Sequence, residues 1–377
     1  MKSFSIVIFS CLLAVLISRC IDPFSPPATQ QDIRYLVVDG FLNATDNSCA
    51  IKLTRTIPIY YDSSTRLETN AIVQLQDDHG NIFTFNENDA GEYSLADLPL
   101  NHTYQYRLKI NTKNNSEYIS DYVSILNTPA IDSIYWGYVR NGVPIYIDTH
   151  DSENSTHYYS WSFAETWAYT SAYASFLKEE GGQIVPTTEN TYYCWRTQRN
   201  TEILISTSTS LNKDIISQFA LTTIPWSSPR FRTKYSIEAE QHALSKDAYN
   251  YSLLLKRNTE NLGTLFDPLP STVIGNIHCT NNASEIPVGF FTACTTQKKR
   301  IFIKGEDINK HRPGISIITG YEECVLDSTT LTDGLRGDIP VYPIYLGSQL
   351  TGYWAASPFC VDCRQAGGVN VKPDFWE

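Results

Sequence analysis

The stretch Ala71–Asn86, "AIVQLQDDHGNIFTFN", decides the fold. Ala71, Val73 and Leu75 alternate with polar residues, Asp78-His79-Gly80 supply a turn, and Ile82, Phe83 and Phe85 resume the apolar pattern. A period of two, a turn and a second apolar run make a β-hairpin. The same grammar repeats on both sides, in "RYLVVDGFL", "CAIKLTRTI", "GEYSL", "TYQYRLKI" and "SEYISDYVSI". About seven short strands between residues 33 and 128 predict a β-sandwich. "NTPAIDSIYW" (Asn127–Trp136) reads as the passage into a second β-rich domain, 129–377. Within it, Ser245 is placed to cap one helix near 246–262, with Ala248, Tyr251, Leu255 and Leu262 on one face and Gly263 as its stop.

The chain has 377 residues, 24 of them Tyr, and a formal charge of −11. There is no basic stripe, the nearest cluster, Lys298-Lys299-Arg300, reading as a hairpin flank, so a nucleic-acid partner is not expected. At the N-terminus, Lys2 precedes an apolar run from Phe4 to Ile17. That run is shorter than the ~20 residues of a membrane-spanning helix and has the anatomy of a signal peptide, residues 1–19. Cys20 closes it, so the reading is cleavage before Cys20 and a lipid anchor on its thiol. Arg19 departs from the small residue usual at that position. The Pro-rich stretch 20–32 would be the tether.

Nine cysteines are present, and export favours their pairing. Cys279 and Cys294, on two runs joined by "TNNASEIP", are expected to bond to each other. Cys194, Cys324, Cys360 and Cys363 are expected to form two more bridges of open connectivity, leaving Cys49 over. "CVDC" (Cys360–Cys363) lacks the βαβ setting of a redox motif and the further ligands of a zinc site, so structural disulfides are expected there.

No catalytic motif emerges: no HExxH, G-x-S-x-G, P-loop or GxGxxG. His150, Asp151, Glu153 and His157 cluster in sequence, and a solvated loop explains them without a metal. The acid pairs Glu179-Glu180 and Glu322-Glu323 read as surface charge, and Asp77-Asp78 as turn residues. The densest aromatic stretch is "YYSWSFAETWAYTSAYASF". Tyr159, Trp161 and Phe163 share a face and read as core; Trp167, Tyr169 and Tyr173 are the expected exposed members and a candidate binding patch.

"CIDPF", "LVVDGFL", "IDSIYW", Cys194-Trp195, "LFDPLPSTVIGNI" and "CVDCRQAGGVNVKPDFW" together resemble a family of Bacteroidota outer-membrane lipoproteins, domain of unknown function 4249, across essentially the whole mature chain. The resemblance implies an N-terminal sandwich of Ig-like or transthyretin-like kind and a mainly β protein throughout. It implies a genetic neighbour that is a TonB-dependent receptor, and no catalytic residues to carry over. It also sets Cys279 and Cys294 apart as additions, consistent with their pairing. The expectation is a non-catalytic, cofactor-free lipoprotein of the outer membrane, on either face, acting as accessory or binding subunit of a TonB-dependent transport complex. The alternative is a free-standing surface binder of glycans or peptides.

Overall fold

The computed structural model describes residues 34–57, 66–260, 273–311, 314 and 317–376. The segments read as signal peptide and tether, with Arg19 and Cys20, and the helix-end residues Leu262 and Gly263, lie outside them. The protein is mainly β.

Two sheets share one core in the N-terminal unit. The first runs, edge to edge, Ala293–Cys294, Leu36–Asn43, Ser48–Arg55, Glu92–Leu95, Asn86–Asp89. The second runs Ile277–Cys279, Glu117–Ser120, Gln105–Asn111, Ile72–Asp77, Ile82–Thr84. Alternation sends Leu36, Val38, Ile51 and Leu53 inward from one sheet and Val73, Leu75, Leu108 and Ile110 from the other. The opening hairpin forms as read, with Leu75 opposite Phe83. Its turn is organised by Asp77, whose buried carboxylate accepts the N–H groups of His79 (3.0 Å) and Asn81 (2.9 Å). Ile82 points outward, and Phe85 marks the point where the chain leaves for the other sheet, its N–H donating to Val73 O at 2.9 Å.

Both sheets are completed from far along the sequence. Ile277–Cys279 adds antiparallel to Glu117–Ser120, and Ala293–Cys294 adds parallel to Leu42–Asn43. The returning segment fits because of its glycines. A Cβ on Gly275 would lie 1.7 Å from Gly289 O, and one on Gly289, at φ +152°, would lie 2.4 Å from Val38 O. Buried Asn276 exchanges two hydrogen bonds with the backbone of Phe291. Arg55 then ties the unit together: Nε donates to Glu68 at 2.6 Å, and Nη1 to Glu285 at 3.0 Å and Tyr118 Oη at 3.2 Å.

Two expectations are corrected by this segment. Residues 277–294 belong to the first unit, so the division at 128/129 is not a division of the chain into two consecutive bodies. Cys279 and Cys294 do not bond. Each closes a different sheet, because the residues between them cross from one sheet to the other, and both are free buried thiols, as is Cys49.

The second unit pairs a three-stranded sheet (Ile131–Trp136, Val143–His150, Ile215–Ile224) with a larger one built around Tyr158–Thr170 and Lys234–Ala243. Ile145 and Ile147 meet Tyr159, Trp161, Phe163 and Ile237 in its core. The helix Lys246–Glu260 is capped by Ser245, whose Oγ accepts the Ala248 N–H at 3.1 Å. A small sheet of Asp327–Thr330, Gln349–Ala356 and Ile339–Leu346 forms a C-terminal lobe against it. Among the described residues no helix is long and apolar enough to cross a membrane.

Candidate functional site

The cysteines read as structural staples define the place. Cys194 bonds Cys363, and Cys324 bonds Cys360. The two cysteines of "CVDC" therefore serve different bridges. Cys360 sits in the short helix Pro358–Val361, Cys363 at the head of a 3-10 turn, and Asp362 between them is held by Arg364 in a forked ion pair. From there the tail runs along the sheet edge, where Trp195 and Val369 exchange backbone hydrogen bonds of 2.8 and 2.9 Å.

This tail overturns the expected exposure of the aromatic patch. Alternation along Tyr158–Thr170 holds to Glu165, after which every residue is buried. Trp167 and Tyr169 are each 7% exposed. Tyr169 Oη donates to Cys363 O at 2.7 Å, and Gly368 packs so close that a Cβ would lie 2.3 Å from that hydroxyl. Tyr173 is half-buried and donates to Cys324 O at 2.9 Å. The inward face of the strand outruns its partner sheet, and the stapled tail covers the surplus.

Trp167 and Tyr169 instead line a recess of about 200 Å³, with Arg196, Arg232, Tyr321 and Phe359 among its other walls. Arg196, directly opposite Trp167 on the neighbouring strand, holds its guanidinium 5.7 Å from the indole centre, and Arg230 holds its own 5.2 Å away. Arg230 is neutralised by buried Glu165 at 3.0 Å, which also accepts from Tyr235 Oη at 2.7 Å. Among the described residues, the side chains of Arg196 and Arg232 donate only to backbone carbonyls, those of Ala366 (3.2 Å) and Thr170 (3.1 Å). Tyr321 is 8% exposed and its buried hydroxyl has no hydrogen-bond partner among the described residues. Burial pushes its pKa up to about 12, so it remains a protonated donor.

On the outer side of the lobe a second feature stands out. Tyr342 and Trp354 face each other across the hairpin, and Tyr345 lies opposite Leu350 nearer its tip. Leu346, at the tip, is 77% exposed, and Tyr342, Tyr345 and Trp354 are exposed as well. Leu331, also exposed, joins the same edge through its N–H to Thr351 O at 3.2 Å. Contiguous apolar surface of this kind marks interaction sites on folded proteins.

The remaining candidates resolve into structure. Asp151 folds its own loop, accepting from the N–H groups of Glu153, Ser155 and Thr156 and from the Ser155 hydroxyl. His150 pairs with Asp132 rather than with the acids beside it. Glu322 accepts from Thr319 and Gly320, and Glu180 pairs with Lys178. Among the described residues no group of three or more His, Cys, Asp and Glu could hold a metal ion.

The chain thus combines two interlocked β-units, a disulfide-stapled lobe, an aromatic recess and an exposed apolar hairpin. Its sequence matches the family model described as Domain of unknown function (DUF4249) over residues 21–300, and the chain belongs to that family. The match ends before the lobe, whereas the resemblance drawn from sequence ran to the final "DFW". No curated protein matches the chain.

Proposed function

We propose that this protein is a non-catalytic, lipid-anchored outer-membrane component that docks onto a TonB-dependent receptor as an accessory or binding subunit. The observation that carries the reading is the exposed Tyr342-Tyr345-Leu346-Trp354 hairpin. Tyr and Trp concentrate binding energy at protein interfaces. Here they project from a sheet whose position is fixed by two covalent bridges, so little order has to be gained on docking. The anchor at Cys20 and an Ig-like or transthyretin-like N-terminal sandwich complete the reading, and both are consistent with the family.

The test is recovery of the tagged protein from native membranes in gentle detergent, with mass-spectrometric identification of what accompanies it. Near-stoichiometric receptor is expected with the wild type. Tyr345→Asp with Leu346→Asp is expected to lose the receptor while staying in the membrane, and Cys20→Ala to leave the membrane. Recovery of the protein alone, still attached through Cys20, would replace this reading with that of a free-standing surface binder.

A further inference from the structure

We infer that the recess between Trp167 and Tyr321 is a binding site for a small carboxylate with an apolar body, of about the bulk of one aromatic side chain. The inference is independent of the docking hairpin, which lies elsewhere on the lobe.

Charge comes first. Two arginines line the recess, Arg196 and Arg232, and Arg230 lies against its Trp167 wall; Arg364 follows in the stapled tail. Arg230 is matched by Glu165, and Arg364 by Asp362 and Glu189. Among the described residues, Arg196 and Arg232 make no ion pair. Glu322, beside the lining residues Thr319 and Gly320, is engaged by the Thr319 hydroxyl at 2.9 Å and the Gly320 N–H at 3.0 Å. Exposed Arg196 and half-buried Arg232 thus line the recess with no carboxylate partner among the described residues. Their planar forks suit a carboxylate.

The Tyr321 hydroxyl is shut within the wall, so this residue meets the recess with its ring alone.

Size and lining fix the rest of the ligand. Trp167, Tyr169 and Phe359 offer ring surface that a bare phosphate or sulfate would leave unused. At about 200 Å³ the recess is below the roughly 300 Å³ where sites for drug-sized ligands begin, so one ring or branched chain fills it. The walls are held from both sides: Tyr321 and Phe359 flank the Cys324–Cys360 bridge, and Tyr169 is paired with Cys194 of the other. The site is therefore formed before any ligand arrives. Two sources share this chemistry, a free aryl or alkyl acid and the carboxyl end of a peptide with an apolar last residue.

The experiment is titration of the purified whole chain in detergent with phenylacetate, followed by calorimetry and tryptophan fluorescence. Phenylacetamide, Gly-Phe and Gly-Phe-amide serve as comparison probes. Saturable one-to-one binding of phenylacetate in the millimolar range or tighter is expected, with the amide at least tenfold weaker. Arg232→Gln is expected to weaken the acid at least tenfold. Arg196→Gln, at an exposed side chain, is expected to weaken it about threefold or more with unchanged Tm, which also decides the matter if Arg232→Gln misfolds. Competition by Gly-Phe but not its amide assigns the site to peptide ends; phenylacetate alone assigns it to free acids. Acid and amide binding equally, neither saturating, or Arg196→Gln binding like wild type would overturn the inference.

Discussion

The N-terminal unit and the C-terminal lobe solve the same problem with different means. The first packs nineteen buried apolar residues between two sheets and keeps its three cysteines as free, buried thiols. The lobe's own core is four buried residues, Val341, Ala356, Cys360 and Val361. That is too little apolar burial to offset the ordering of the chain. It is stapled instead, by bridges that close loops of 36 and 169 residues. Chain-entropy arguments assign such loops about 4 and about 5 kcal/mol. Burial and crosslinking are thus alternatives within one molecule, and reagents that touch only one of them should separate the two regions.

The largest expected effect is on the staples. Cys363→Ala with Cys194→Ala should cost about 5 kcal/mol and release the tail from Trp195. Limited proteolysis would then cut within 357–376 while the N-terminal unit resists; equal resistance to wild type would break the comparison. Next, Arg55→Ala should cost about 3–5 kcal/mol, because it strands Glu68 and Glu285 in a nearly closed site. Denaturant unfolding checks it, and the loss should be the same in reducing and oxidising buffer.

The smallest effect sharpens the contrast from outside both cores. Burial would raise the Asp151 carboxyl, but hydrogen bonds from Ser155, Thr156 and Glu153 outweigh it and hold the group at about 2. A carboxyl lowered on folding contributes stability that is present above its unfolded value near 4 and lost as pH falls through about 2. The Tm gap between wild type and Asp151→Asn should therefore be constant above pH ~4 and close toward pH ~2. A gap that persists at pH ~2 would assign the loop's stability to something other than this carboxylate.

The sequence revealed faces more readily than partners. Alternation named the inward residues of Ile72–Asp77 and Gln105–Asn111, and Ser245 announced the helix, because those signals are local. A period of two does not say which strand lies alongside. So the return of Ile277–Cys279 and Ala293–Cys294 was hidden, and with it the separation of Cys279 from Cys294. Trp167 and Tyr169 were misread for the same reason: the residues that cover them, Cys363 to Val369, lie about two hundred positions on. The recess adds Arg232, Tyr321 and Phe359 from separate segments, at no spacing that a motif could capture. The Asp77 turn and the Asp151 loop, by contrast, are built within a few residues, and there the local reading sufficed.

The returning strands also govern how the protein can be made. A chain that has emerged only as far as residue 128 has two sheets with open flanks and no Glu285 for Arg55. Those flanks are filled only when residues 277–294 arrive. Exposed strand edges invite pairing with other chains. A fragment ending at 128 is thus a poor unit to express, and the natural chain needs shelter for its edges until some 170 further residues have followed.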